Sequence, residues 1–203
     1  MEINQQVKLF DKQAKKYSKR KKKNASELRM RQKLLHSAQG EILELSVGAG
    51  ANFQFYPKDA KVTAVDFSAS MIEQAKDTAR EQNLDVHFIV GNVEEVELQE
   101  KKFDTVISTL SMCSYPNPEK VLQLMASWCK EDGQILLLEH GISTNSVYSW
   151  VQNKADSFIE KRIGCHINRD ILKMMKESPL QIERIESLML NSIHLIWAKP
   201  NKG

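Results

Sequence analysis

The sequence predicts an α/β fold: a doubly wound, mostly parallel seven-stranded sheet with an antiparallel last strand, N-terminal helices, and a helical insert before the last two strands. Three observations predict it. Five short, continuously apolar runs alternate with helical stretches, as parallel strands do when helices cover both faces of a sheet. The first run breaks into a glycine-rich turn, Gly48-Ala49-Gly50. The last two runs are joined by a short turn near Asn191, and so short a connection pairs strands antiparallel.

Taken in order, residues 3–17 set Ile3, Val7, Phe10, Ala14 and Tyr17 at spacings of three and four, an amphipathic helix with a narrow apolar stripe. The basic run Lys19-Arg20-Lys21-Lys22-Lys23 interrupts it, and Ser26 is placed to cap a second helix carrying Leu28, Leu34 and Leu35. The first strand is expected over residues 42–45, followed by a helix around 51–56. A second strand, 62–65, leads to a helix over about 70–82 with Ser68 as its N-cap. A third strand, 86–90, ends at Gly91-Asn92, and a fourth, 105–108, follows Phe103-Asp104, where Asp104 reads as a structural carboxylate. A helix over 118–129 turns at Glu131-Asp132-Gly133 into a fifth strand, 135–138, which ends at Glu139-His140-Gly141. Residues 142–179 break the alternation with helices, a turn at Gly164-Cys165-His166, and Asn168 as the cap of a helix ending before Pro179. Strands over about 182–189 and 192–198 complete the sheet.

A chain of 203 residues suits one domain with a sizeable core, and 41% hydrophobic with 27% charged residues is ordinary for a globular protein. No apolar run approaches the roughly 20 residues that span a bilayer, and the N-terminus shows no apolar signal region, so a cytoplasmic location is expected. Cys113, Cys129 and Cys165 have no metal-like spacing and read as free thiols, so no metal is expected. Charge is uneven: residues 1–36 hold 12 Lys and Arg against 3 Asp and Glu, while the rest hold 17 against 23. The basic arm is foremost a solvated helix face, with contact to an anionic membrane surface as the sharper reading. Nucleic acid is the less favoured partner, because few aromatic residues interleave with the basic ones.

Asp66 stands sixteen residues beyond Gly50, at the end of the second strand. A strand, a glycine turn, a helix and an acid closing the next strand describe a nucleoside site, in which the carboxylate accepts from two ribose hydroxyls. Phe53 occupies the position where a dinucleotide fingerprint has its third glycine, and no Gly-Lys-Ser/Thr ending follows. No pyrophosphate clamp is visible, and a cofactor without phosphates fits better.

ELSVGAG followed by VTAVDFSASMIEQAK resembles the first two motifs of class I S-adenosylmethionine-dependent methyltransferases, with Ser46 standing where the family has its first glycine. GAGANFQFYP resembles the alkyl-thiol methyltransferases and, more loosely, the ubiquinone/menaquinone and phospholipid methyltransferases. FDKQAKKYSKR is similar to a segment that closes over the cofactor in several small methyltransferases. The resemblance implies a Rossmann-like fold and S-adenosylmethionine as cofactor, with S-adenosylhomocysteine as product. It implies that Gly48 and Gly50 let the backbone approach the methionine moiety and ribose, that Ser46 belongs to the same cofactor-binding turn, and that Glu44 supports the loop or reaches the amino group through water. Asp66 would hold the ribose diol, Phe67 and Met71 the adenine face, Asn92 the adenine amino group and Val93 the adenine edge, with Ser108 at the end of the fourth strand; the plainer readings are Asp66 as a cap of the next helix, Met71 as core and Asn92 as a turn residue.

Methyl transfer needs a base only when the nucleophile carries a proton to lose. His140, at the end of the fifth strand, is the first candidate and His166, beside Cys165, the second. Each has a plainer reading as a hydrogen-bonded structural histidine. The expected arrangement is a basic helical cap over 1–36 and a methyltransferase domain over 37–203, with 142–179 covering the acceptor. The expected acceptor is small and apolar or lipid-like: a thiol, a quinone precursor or a phospholipid headgroup. RNA methylation guided by the basic arm, and a non-catalytic S-adenosylmethionine-binding module, are the alternatives.

Overall fold

Residues 3–20 and 25–201 are described by the structure, a computed structural model. Most of the Lys19-to-Lys23 basic run falls outside them. Seven strands form one sheet in the order β3-β2-β1-β4-β5-β7-β6. They are β1 (Glu41–Leu45), β2 (Lys61–Asp66), β3 (Asp85–Val90), β4 (Phe103–Thr109), β5 (Cys129–His140), β6 (Leu180–Leu188) and β7 (Ile193–Pro200). β7 runs antiparallel to both β5 and β6; the other neighbours are parallel. The chain starts in mid-sheet at β1, goes out to β3, then crosses back to β4. That reversal opens a crevice at the carboxyl ends of β1 and β4, where ligands bind in folds of this kind.

Side chains alternate across β1. Leu43 and Leu45 pack in one core layer with Leu122 and Met125 of α4 (Pro118–Trp128) and Met175 of α6 (Ile171–Glu177). Ile42 joins the other layer, with Leu34 and Leu35 of α2 (Ala25–Leu35) and Ile72 and Ala75 of α3 (Ala69–Gln82). Burial of both faces explains why the central strands are apolar without a break. α1 (Ile3–Arg20) packs on α3, and α5 (Ser146–Ile163) lies in the insert. Among the described residues no helix is long and apolar enough to cross a membrane.

Caps follow the side-chain chemistry. The Ser68 hydroxyl accepts from the Met71 amide as expected, and Asn117 and Asn145 do the same for α4 and α5. Three expectations are corrected. The helix around 51–56 is only a 3₁₀ turn, Phe53–Phe55, because Pro57 forces Tyr56 into extended backbone and too few residues remain for an α-turn. α6 is capped by Asp170, whose side chain accepts from the Lys173 amide; Asn168 instead donates to Asn153. Glu131-Asp132-Gly133 is a bulge inside β5 rather than a turn before it: Phe103 pairs with Cys129, but Thr105 pairs with Gln134. Ser26 lies within the first turn of α2. Asp104 is structural, accepting from the Glu41 amide and from Lys130.

Candidate active site

A cavity of about 260 Å³ opens at the carboxyl ends of β1, β2 and β4. Its floor is the turn after β1: Ser46, Val47, Gly48 and Ala49 line it, opposite Asp66, Phe67 and Met71. Gly48 has a φ of +55°, and a Cβ there would meet nothing within 4 Å, so the missing side chain is space given over to the cavity. Gly50, at φ +75°, is required for the opposite reason: a Cβ would sit 2.8 Å from the Phe53 ring. Ser46 takes a φ of +50° where a glycine would be unstrained, and its hydroxyl is tied to the Tyr115 hydroxyl at 2.8 Å.

The Asp66 carboxylate faces this bend. Its Oδ2 accepts from the Gly48 amide at 2.8 Å and its Oδ1 from the Ser68 amide at 2.9 Å. Burial pushes its pKa up to about 6, against those two amide hydrogen bonds. Each oxygen keeps a further lone pair for a ligand hydroxyl. With Gly48's empty space, this carboxylate and the apolar Phe67 and Met71 fit the nucleoside of S-adenosylmethionine.

α1 roofs the cavity with Phe10 and Tyr17. The Phe10 ring meets Phe67 edge-on, with centroids 5.5 Å apart, and Asp11 accepts from the Ser68 hydroxyl at 2.5 Å. α2 contributes Arg31, which is buried, donates to Asn52 Oδ1 at 2.6 Å and Thr109 Oγ1 at 2.8 Å, and pairs with Glu27. Sequence reading missed Arg31, Glu27 and Thr109, because only the pairing of β1 with β4 brings residues 31, 52 and 109 together.

Several predicted site residues stand off the cavity. Glu44 is fully buried beneath the turn, accepting from Asn52 Nδ2 at 2.9 Å and the Tyr56 hydroxyl at 2.7 Å, so it braces the loop. Asn92 closes an Asx turn on the Glu94 amide, Val93 is buried in the core, and neither lines the cavity. Ser108 is enclosed, bound to Ser111 and to Glu139 Oε1. Glu139 also accepts from the amides of Ser111 and Met112, fixing the loop after β4.

At the far end His140, Cys165, Leu110 and Ile163 form the wall. Burial works against the charged form of His140, but its hydrogen bond with Cys165 and the charges of Cys165 and Glu139 hold its pKa above the ordinary histidine value. His166 is turned away: Nδ1 lies 2.8 Å from Asp156 Oδ2 and Nε2 4.0 Å from Glu160, and the residue does not line the cavity.

Burial also lifts Glu44 and Glu139 to about 7. Their unfolded values are near 4.5, so the folded chain takes up protons between the two. The stability this gives is fully present below about pH 4.5 and is lost as pH rises through 7. Each glutamate contributes about 3 kcal/mol to that loss. Urea midpoints should therefore fall from pH 5.5 to pH 8, and Glu139→Gln should flatten the slope. A midpoint that rises over that range would contradict the buried placement.

A methyltransferase-domain family matches residues 42–133. The chain is 30% identical to Methyltransferase OMS1 of Saccharomyces cerevisiae, over 82% of this chain and 39% of that protein. It is 32% identical to Thiol S-methyltransferase TMT1B of Rattus norvegicus, over 78% of this chain and 63% of the relative. It is 26% identical to a phosphatidylethanolamine N-methyltransferase of Cereibacter sphaeroides, over 70% and 71%. It thus spans 39% to 63% of the first two relatives. Its fold matches that of an O-methyltransferase family protein of Burkholderia thailandensis with a TM-score of 0.74 at 12% identity, covering 94% of this chain and 60% of the other.

Proposed function

The chain carries a methyltransferase domain of the class I S-adenosylmethionine-dependent family, and from that premise we propose that it transfers a methyl group to a small apolar or lipid-like acceptor: an alkyl thiol, a quinone precursor or a phospholipid headgroup. The observation that carries this reading is the two-ended cavity. One end is the nucleoside-shaped floor of Gly48, Asp66, Phe67 and Met71. The other is a wall of Leu110 and Ile163 with His140 and Cys165 set into it. S-adenosylmethionine supplies an electrophilic sulfonium methyl, so the protein's part is to position the nucleophile and take its proton where it has one.

Gly48 and Asp66 hold the nucleoside end, and α1 excludes water over it through Phe10 and Tyr17. His140 faces the acceptor end and receives the acceptor's proton. The outer face of α5 favours an acceptor of low polarity: Val147, Trp150 and Phe158 are all more than 60% exposed, as are Met189 and Leu190 in the adjoining hairpin. Asn191 Nδ2 donates to Thr144 Oγ1 at 2.9 Å and holds that hairpin beside the start of α5. Such a surface suits contact with lipid. Thiol and phospholipid acceptors are also those that the names of two relatives state for those proteins.

The test is calorimetry with S-adenosylhomocysteine, then a screen of alkyl thiols, quinols and phospholipid vesicles for methyl acceptance. Binding together with product formation from one apolar class is expected. Failure of a folded sample to bind S-adenosylhomocysteine would refute the reading. Binding with no turnover on any class would favour a non-catalytic module.

A further inference from the structure

We propose that Cys113 and Cys165 are a redox pair: a hydroperoxide oxidises them to a reversible disulfide in the wall of the cavity. The two Sγ atoms are 3.0 Å apart, although the residues lie 52 positions apart in sequence. Their segments are bolted together by main-chain contacts. The His166 amide donates to the Cys113 carbonyl at 2.9 Å, and Arg169 donates to the carbonyls of Met112 and Tyr115. Gly164, left-handed at φ +77°, ends α5 and aims Cys165 at its partner. A disulfide needs S–S near 2.05 Å, so closure asks for a movement of about 1 Å between groups already held side by side.

The chemistry is divided between the two. Cys165 lines the cavity, so a small oxidant can reach it, whereas Cys113 is buried. The hydrogen bond from Cys113, and those from His140 and the charge of Arg169, favour the thiolate at Cys165; the same coupling and burial keep Cys113 a thiol. A thiolate beside a resolving thiol is the arrangement of redox-sensing cysteines. The Cys165 sulfur attacks the peroxide, the O–O bond breaks, and the leaving oxygen departs as water or alcohol after taking a proton, giving a sulfenic acid. Cys113 sulfur then attacks that sulfur, and the hydroxyl leaves as water with the Cys113 proton. Two thiols and one hydroperoxide yield one disulfide and two molecules of water, or one each of water and alcohol. A dithiol reverses it.

His140, Cys113 and Cys165 also present a ligand atom each within 4.8 Å of one another. A tetrahedral zinc with bonds near 2.3 Å needs its two sulfurs roughly 3.8 Å apart. The observed 3.0 Å is tighter than that, which favours the disulfide.

The experiment uses the full chain, reduced, desalted and treated with a small molar excess of hydrogen peroxide. Cys129 is the internal control, because burial pushes its thiol up to about 12 and no partner cysteine is in contact with it. The expected result is loss of two of the three thiols and a Cys113–Cys165 cross-linked peptide 2 Da lighter than its reduced parts. Both thiols should return with dithiothreitol, while S-adenosylhomocysteine affinity stays within threefold. In a Cys113→Ser variant, Cys165 should instead accumulate sulfenic or sulfinic acid. Retention of all three thiols in the peroxide-treated wild type, oxidation of Cys165 alone, or one zinc per chain that masks both thiols would overturn the proposal. These readouts do not depend on methyl transfer, so they fail separately from the proposed activity.

Discussion

Replacing Asp66 with alanine should weaken S-adenosylhomocysteine binding by roughly a hundredfold, read by calorimetry at pH 7.5. The carboxylate is placed to do two things at once. It orients the turn by accepting from the Gly48 amide at 2.8 Å, and it presents its remaining lone pairs to the cavity. Hydrogen bonds to a charged acceptor contribute about 1.5–3 kcal/mol each, and truncation also leaves the Gly48 and Ser68 amides without their partner. Two such losses together exceed the 2.7 kcal/mol that corresponds to a hundredfold change. The fold should persist, because Ile42, Leu43 and Leu45 keep β1 in the core independently of the turn. Far-UV circular dichroism checks that separately. The same carboxylate predicts the pH dependence of binding. Its pKa stands at about 6, so affinity in the wild type should strengthen as pH rises from 5 to 7.5 and the acceptor charge forms. An Asp66→Ala protein that binds within threefold of wild type would show that the carboxylate serves the turn alone.

What the chain disclosed before folding, and what it withheld, follows from distance along the sequence. Gly48, Asp66, Phe67 and Met71 were legible because one βαβ unit carries them, and strand ends bring such residues to the same crevice in any fold of this kind; Gly50 belongs to the same turn but packs against Phe53 and does not line the cavity. Asn92 obeyed the same logic and did not reach the cavity, since its side chain found a nearer partner in the Glu94 amide. Ser108 failed for a comparable reason: Glu139, 31 residues away, captures its hydroxyl. Arg31 carried no signal, because an arginine within a basic stretch looks like every other until Thr109 and Asn52 are brought beneath it. The Cys113–Cys165 contact was equally unreadable. Spacing rules for cysteines describe local loops, and this pair depends on the insert folding back onto the loop after β4.

Removing the His140 imidazole, as His140→Ala, should lower turnover of an alkyl thiol about a hundredfold while leaving S-adenosylhomocysteine affinity unchanged. An alkyl thiol is a weaker acid than the cysteine side chain and is almost wholly protonated at neutral pH, and a positioned base contributes about 10²–10⁴-fold to taking such a proton. His140 is the histidine that lines the cavity, whereas His166 is held by Asp156. An electron-poor arenethiol, already ionised at the assay pH, needs no base and should lose little in the variant. That contrast separates proton removal from a merely structural role, which would slow both acceptors alike. The imidazole must first shed its own proton, and its pKa is held above the ordinary value through Cys165 and Glu139 against burial. The rising limb of the rate profile for alkyl thiols should therefore lie above pH 6.5 and move down in Cys165→Ser, where the thiolate partner is gone. Equal losses on the two acceptors, or a limb that ignores Cys165, would leave His140 as a wall of the cavity and point to an acceptor that arrives without a proton to lose.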